Sequence, residues 1–211
     1  MAIDLMSRGN ELLETGSWEE ARRIFEEASR HGDVDALMGL ATASRWLDDI
    51  GASIDALDRA YRGYVETGEN VDAATTAFSL AEMFIDYRGE PAVAAGWLQR
   101  ARHHLKSDPD HPAMVAVGAM EAYLALAYDK DPLRARTLVE TALEQARRFE
   151  DRNAELMANA QLRMNLVSQG EVSEGMRLLD ESTAARACGV HHDGRRTRQH
   201  RLLHPIRLGD G

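Results

Sequence analysis

The sequence predicts an all-α protein, a right-handed α–α superhelix of about five helical hairpins. Three observations predict it. The chain is rich in alanine and shows no strand-like alternation bounded by hairpin turns, a composition that favours close-packed helices. One stretch, Gly16-Ser17-Trp18-Glu19-Glu20-Ala21-Arg22-Arg23-Ile24-Phe25-Glu26-Glu27-Ala28, reads as a tight turn followed by a helix with Ala21, Phe25 and Ala28 on one face. Looser copies of that stretch recur, with marker residues Ala21, Ser53, Ala94, Ala135 and Gly175 separated by 32, 41, 41 and 40 residues. A near-fixed period of that size is the signature of a solenoid, in which no helix pair can bury its apolar face alone and neighbours must stack.

The elements follow in order. Residues 1–15 read as a helix that Gly16 ends, and Trp18 to His31 as the second. Gly32-Asp33 breaks the chain before a helix over Asp35 to Trp46 that carries Leu37, Leu40 and Ala41 on one face. After Asp48-Asp49, Gly51 to Glu66 repeats the template with Ser53, Leu57 and Ala60. Gly68-Glu69-Asn70 precedes a long helix over Val71 to Tyr87. Arg88-Gly89-Glu90-Pro91 turns the chain, since proline suits the first turn of the following helix, and Ala92 to Leu105 carries Ala94, Leu98 and Ala101. The prolines of Ser107-Asp108-Pro109-Asp110-His111-Pro112 disfavour helix in the residues before them and mark the clearest loop. Helices over Ala113 to Tyr128 and Leu133 to Phe149 follow, the second carrying Ala135, Val139 and Ala142. The last pair spans Ala154 to Gln169 and Val172 to Ala187, with Gly175, Leu179 and Ser182 in template positions. The first helix of each pair should line the concave side of the superhelix.

Gly16-Ser17-Trp18-Glu19-Glu20-Ala21, with Phe25 and Ala28, resembles the second half of a tetratricopeptide repeat, and Gly9 and Leu12 match its first half. Later units are longer by about seven residues, and long repeats of that kind resemble the sensor arrays of bacterial LuxR-type, maltose-activator-like regulators. Arg88-Gly89-Glu90-Pro91-Ala92-Val93-Ala94-Ala95-Gly96-Trp97-Leu98-Gln99-Arg100-Ala101 and Glu174-Gly175-Met176-Arg177-Leu178-Leu179-Asp180-Glu181 resemble segments of that group. The resemblance implies a tetratricopeptide-like domain over residues 1–189 with an interaction or sensing role, and it carries over no catalytic residue.

Residues 190–211 stand apart. From His191 on, the chain holds four of the eight histidines and five arginines but no glutamate or alanine. The segment carries net +3 against −13 for the residues before it. An out-of-frame segment and a disordered basic tail both fit that change.

The net charge of −10 argues against a nucleic-acid-binding repeat body, which needs a basic face to neutralise phosphates. The single cysteine, Cys188, allows no intrachain disulfide, and no run approaches the ~18 apolar residues of a membrane span, so a cytoplasmic setting without membrane contact is expected. No phosphate loop, HExxH, Gly-x-Ser-x-Gly or paired-cysteine site is present, so neither an enzyme nor a cofactor is expected. His103-His104 on a helix point about 100° apart and chelate poorly. His191, His192, His200 and His204 lack the fixed geometry and supporting shell of a metal site.

The repeat register places Met6, Met38, Met83, Met120, Met157 and Met164 on the groove-facing helices, six of the nine methionines. Methionine lines surfaces that adapt to varied apolar partners. Trp46, Tyr87 and Tyr128 recur at 41-residue intervals near the ends of first helices. The partner-binding residues expected on this basis are Met38, Trp46, Met83, Tyr87, Met120, Tyr128, Met157 and Met164; packing between repeats is the competing role for each. The only lysines, Lys106 and Lys130, fall outside the groove, so an apolar or amphipathic helix is the expected partner rather than an acidic peptide tail. An apolar small ligand is the alternative. A last repeat carrying Leu162, Leu166, Leu178 and Leu179 without a following neighbour could also pair two copies of the chain.

Overall fold

A computed structural model describes residues 2–173 and 175–177. Its helices are α1 (Ala2–Glu14), α2 (Trp18–Arg30), α3 (Asp35–Trp46), α4 (Ile50–Thr67), α5 (Asn70–Met83), α6 (Pro91–His104), α7 (Ala113–Ala127), α8 (Pro132–Arg148) and α9 (Arg152–Ser168). A π-helical turn over Phe84–Arg88 prolongs α5. Among the described residues there is no strand. Residues 172–173 and 175–177 are helical and begin the element that follows α9.

Local chemistry sets the boundaries. Gly16, Gly32, Gly68, Gly89 and Gly170 all take positive φ at the breaks, where a side chain would be strained. Asp49, Asp131 and Asp151 cap the next helices, their carboxylates accepting from the backbone N–H of Ala52, Arg134 and Ala154 respectively. Pro91 and Pro132 occupy first helical positions, where the missing N–H costs nothing.

Every consecutive pair of helices packs together, with α6 and α7 the least extensively joined. Successive first helices also touch, α1 with α3, α5 with α7 and α7 with α9, whereas second helices do not meet to a comparable extent. The first helices therefore line the tighter, inner surface of an all-α repeat superhelix.

The template positions are core in every described repeat. Ala21, Ser53, Ala94, Ala135 and Gly175 are buried, as are Phe25, Leu57, Leu98 and Val139, and Ala28, Ala60, Ala101 and Ala142. Small residues at the first and third positions let the neighbouring helix approach, and the larger second residue fills the space left. In the first repeat the fit is tightest, because a Cβ on Gly9 or on Gly39 would stand 2.6 Å or 2.4 Å from the Phe25 ring. The ring is thus clasped between two helices that can come so close only as glycine.

Polar bonds tie the hairpins. Tyr64, buried in α4, donates its phenol to Asp35 Oδ1 in α3 at 2.6 Å. Burial and the neighbouring Asp35 carboxylate push that phenol's pKa up. Tyr64→Phe is expected to cost about 1–2 kcal/mol, because Asp35 is exposed and regains water. Thermal unfolding checks this, and an unchanged melting temperature would refute it. Arg102 Nε and Nη2 donate to Glu121 Oε1 and Oε2 at 2.7 and 2.5 Å, joining α6 to α7 across the long loop. Arg148 spans Asp110 of that loop in the same bidentate way, at 3.0 and 3.2 Å.

The basic segment from His191, Cys188, Leu178 and Leu179 lie outside the described residues. Leu166 is buried and Leu162 packs on the third core cluster, so those two residues of the expected pairing face serve the fold.

Candidate partner-binding face

Trp46, Tyr87 and Tyr128 are 43%, 48% and 42% exposed, each at the C-terminal end of a first helix. None of the three is fully buried. Trp46 stacks on Trp18 with centroids 5.0 Å apart and planes at 10°, so its ring is braced from behind while much of its surface stays exposed. Tyr128 meets Tyr123 edge-on at 6.1 Å. Met157 and Met164 on α9 are also exposed.

The remaining methionines are divided. Met83 is 2% exposed and belongs to the core, which corrects its expected place in the groove. Met38 is half-buried and its sulfur accepts from Thr76 Oγ1 at 3.4 Å, a contact between α3 and α5. Met120 and Met6 are half-buried against core clusters.

The seam between α3 and α5 holds a group that the periodicity does not single out. Met38, Ala41, Thr42, Arg45, Ser53, Leu57, Ser79, Glu82 and Met83 line a crevice of about 20 Å³. Ser79 is only 7% exposed, and its Oγ has no hydrogen-bond partner among the described residues. The Glu82 carboxyl is pushed up to about 7 by burial, against the pull of Arg45 and with a further push from Asp86. Asp86 is raised as well, by desolvation that outweighs the same Arg45. A signal for Glu82 did exist: in the 41-residue register it stands in line with the apolar Ala41 and Tyr123, the first of them buried.

His104 and His111 make local structural contacts. His104 Nε2 lies 3.0 Å from the Tyr61 hydroxyl and Nδ1 3.2 Å from Asn70 Oδ1. Asn70 Oδ1 can only accept, so Nδ1 donates to it, and burial together with His103 and Lys106 shifts the ring's pKa downward. His111 Nδ1 accepts from the backbone N–H of Ala113 at the start of α7. Among the described residues no group of three His, Cys, Asp or Glu side chains is placed to hold a metal, and no helix is long and apolar enough to cross a membrane.

A second, larger cleft of about 400 Å³ opens over α7 and α8 beside the Arg102–Glu121 pair. Arg102, Glu121, Thr137, Thr141 and Gln145 give it polar walls, and Met114, Leu138 and Ala142 apolar ones.

No protein-family model matches the chain, and no curated protein matches it in sequence. Solved structures do. BtubC (BKLC) from P. vanneervenii superposes with a TM-score of 0.73 at 18% identity, covering 96% of this chain and 86% of that one. A Podosopora anserina protein described as a kinesin light chain with nearly identical TPR-like repeats gives 0.67, and a singly substituted form of the same protein 0.69. Each is 15% identical and covers 88% of this chain and 94% of that one. At such identity the likeness is one of fold: the chain is a TPR-like helical repeat array.

Proposed function

We propose that the chain is a non-enzymatic protein-interaction module whose inner face receives an apolar or amphipathic helix of a partner. The observation that carries this reading is the row Trp46, Tyr87 and Tyr128, three large aromatics exposed at one register of successive first helices. Rigid aromatic side chains supply much contact area at little entropic cost, which is why they anchor interfaces. Met157 and Met164 continue an adaptable apolar surface onto α9. The likeness of residues 88–101 and 174–181 to the sensor arrays of LuxR-type regulators supports a place in such a cytoplasmic transcription regulator, with the repeat body binding protein rather than DNA.

An array of amphipathic helical peptides should yield binders that Tyr87→Lys and Tyr128→Lys together weaken at least tenfold, with helicity unchanged. Peptide binding indifferent to both substitutions would remove the inner face from consideration. Met83→Lys is unsuitable, because it buries a charge and unfolds the site it would test.

The cleft between α6, α7 and α8 favours a second reading, in which the array senses a small ligand. A size of about 400 Å³ lies within the ordinary range of ligand pockets. Saturable binding from a metabolite library that Gly118→Leu abolishes, with peptide binding retained, would support that reading over the first.

A further inference from the structure

The geometry points to a lysine-receiving site at the α3–α5 seam, in which the partner's ammonium group enters the crevice beside Glu82 and accepts no substitute of larger size. This rests on the inner face being the docking surface and names one chemical feature of the partner.

Three observations carry it. The crevice, at about 20 Å³, has room for one water-sized group. A primary ammonium fits that space and a planar guanidinium does not. The walls also offer what an ammonium needs, since its three N–H groups require three acceptors. The Glu82 carboxylate is one, and among the described residues no hydrogen bond or close ion pair engages it. Ser79 Oγ is the second, an otherwise orphaned hydroxyl on a nearly buried residue of the same wall. Thr42 Oγ1 is the third: it donates to Met38 O at 2.9 Å and keeps its lone pairs. Met38, half-buried in the same wall, supplies apolar surface for the end of the lysine stem.

Charge agrees. The charged groups acting on Glu82 are Arg45 from α3 and Asp86 one turn along its own helix, and the tyrosine phenol of Tyr123 on α7 feels Asp86 in turn. With both carboxyls ionised, the trio of Glu82, Asp86 and Arg45 carries one uncompensated negative charge. One incoming monocation neutralises it. A half-buried, under-bonded carboxyl beside an orphaned hydroxyl is costly to keep unless something completes the set.

The test uses the full chain with 13C-labelled glutamate and N-acetyl-lysine methylamide as the probe, followed by carboxyl NMR at pH 8. The Glu82 resonance should shift saturably, and N-acetyl-arginine methylamide should bind at least tenfold more weakly. Glu82→Gln should abolish the effect, and Ser79→Ala, which removes only an unbonded hydroxyl, should weaken it about fivefold without lowering the melting temperature. Affinity should fall at least fivefold at pH 5.5, where Glu82 holds its proton. An equal response to the arginine probe, a shift that survives in Glu82→Gln at another residue, indifference to Ser79→Ala, or no shift at all would each overturn the site. Because the probe is a single residue, the result separates from that of the tyrosine substitutions. A lysine shift with no helix binding overturns the docking reading alone, and helix binding with no lysine shift overturns this inference alone.

Discussion

Phe25→Ala is expected to lower stability by about 3–5 kcal/mol, the ordinary cost of emptying a fully buried phenylalanine site. For a chain of this length that is a fall of roughly 6–20 °C in melting temperature. The upper half of the range is favoured by what surrounds the ring. Gly9 and Gly39 flank it with backbone, and backbone cannot collapse into the hole as a side chain could. Loss should also be local before it is global, because each repeat contacts only its neighbours. Amide exchange should speed up first in α1, α2 and α3 while α7, α8 and α9 stay protected. Gly39→Ala offers the complementary measurement. In an exposed helix that change gains up to about 1 kcal/mol. Here the new methyl would sit 2.4 Å from a ring already held from the other side, so it should destabilise instead. Combined with Phe25→Leu, it should cost less than the two changes do separately. A melting temperature within 3 °C of the parent for Phe25→Ala, or strict additivity in the pair, would overturn the account of the clasp.

The same clasp explains what could be read from the chain alone. A spacing rule needs only side-chain size and direction, and Ala21-Phe25-Ala28 supplied both. The template positions it set stay buried as far as Gly175 although the spacing changes from 32 to about 41 residues, and helix ends fell within a residue or two of the turns marked by glycine, aspartate and proline. What failed depended on angle rather than spacing. Met38 and Met83 are 45 residues apart, one helical turn more than the repeat of 41. A turn of four residues overshoots a full rotation by about 40°. That is enough to carry a side chain from the groove rim into the core, where Met83 and Leu124 stand in one column. The π-helical turn at Phe84–Arg88 has no distinctive residue of its own, and the sequence reads through it as plain helix. Glu82 does not stand out by residue type, because acidic residues are common along the chain. Only its column shows that this one is turned inward.

Glu82→Gln is expected to stabilise the protein above pH 7 and to leave it nearly unchanged at pH 4.5. The sign follows from linkage. A carboxyl with an ordinary value of 4.5 and a folded value of about 7 binds its proton more tightly in the native state. Stability therefore falls as pH rises from about 4.5 to 7 and is level above, where both states are ionised. The full shift would correspond to about 3 kcal/mol, and partial exposure of the residue reduces the expected gain to about 1–2 kcal/mol. Urea unfolding of both proteins between pH 4.5 and 8 gives the comparison, and parallel curves across that range would refute it. Asp86 is shifted in the same direction, so the variant should keep a shallower slope rather than none. This cost is also the mechanism by which a partner would be felt. At pH 8 an ammonium seated beside Glu82 stabilises the ionised carboxylate and should raise the parent's melting temperature towards that of the glutamine variant, which the same ammonium leaves unmoved. At pH 5 the proton already occupies the site, and the lysine probe should move neither protein.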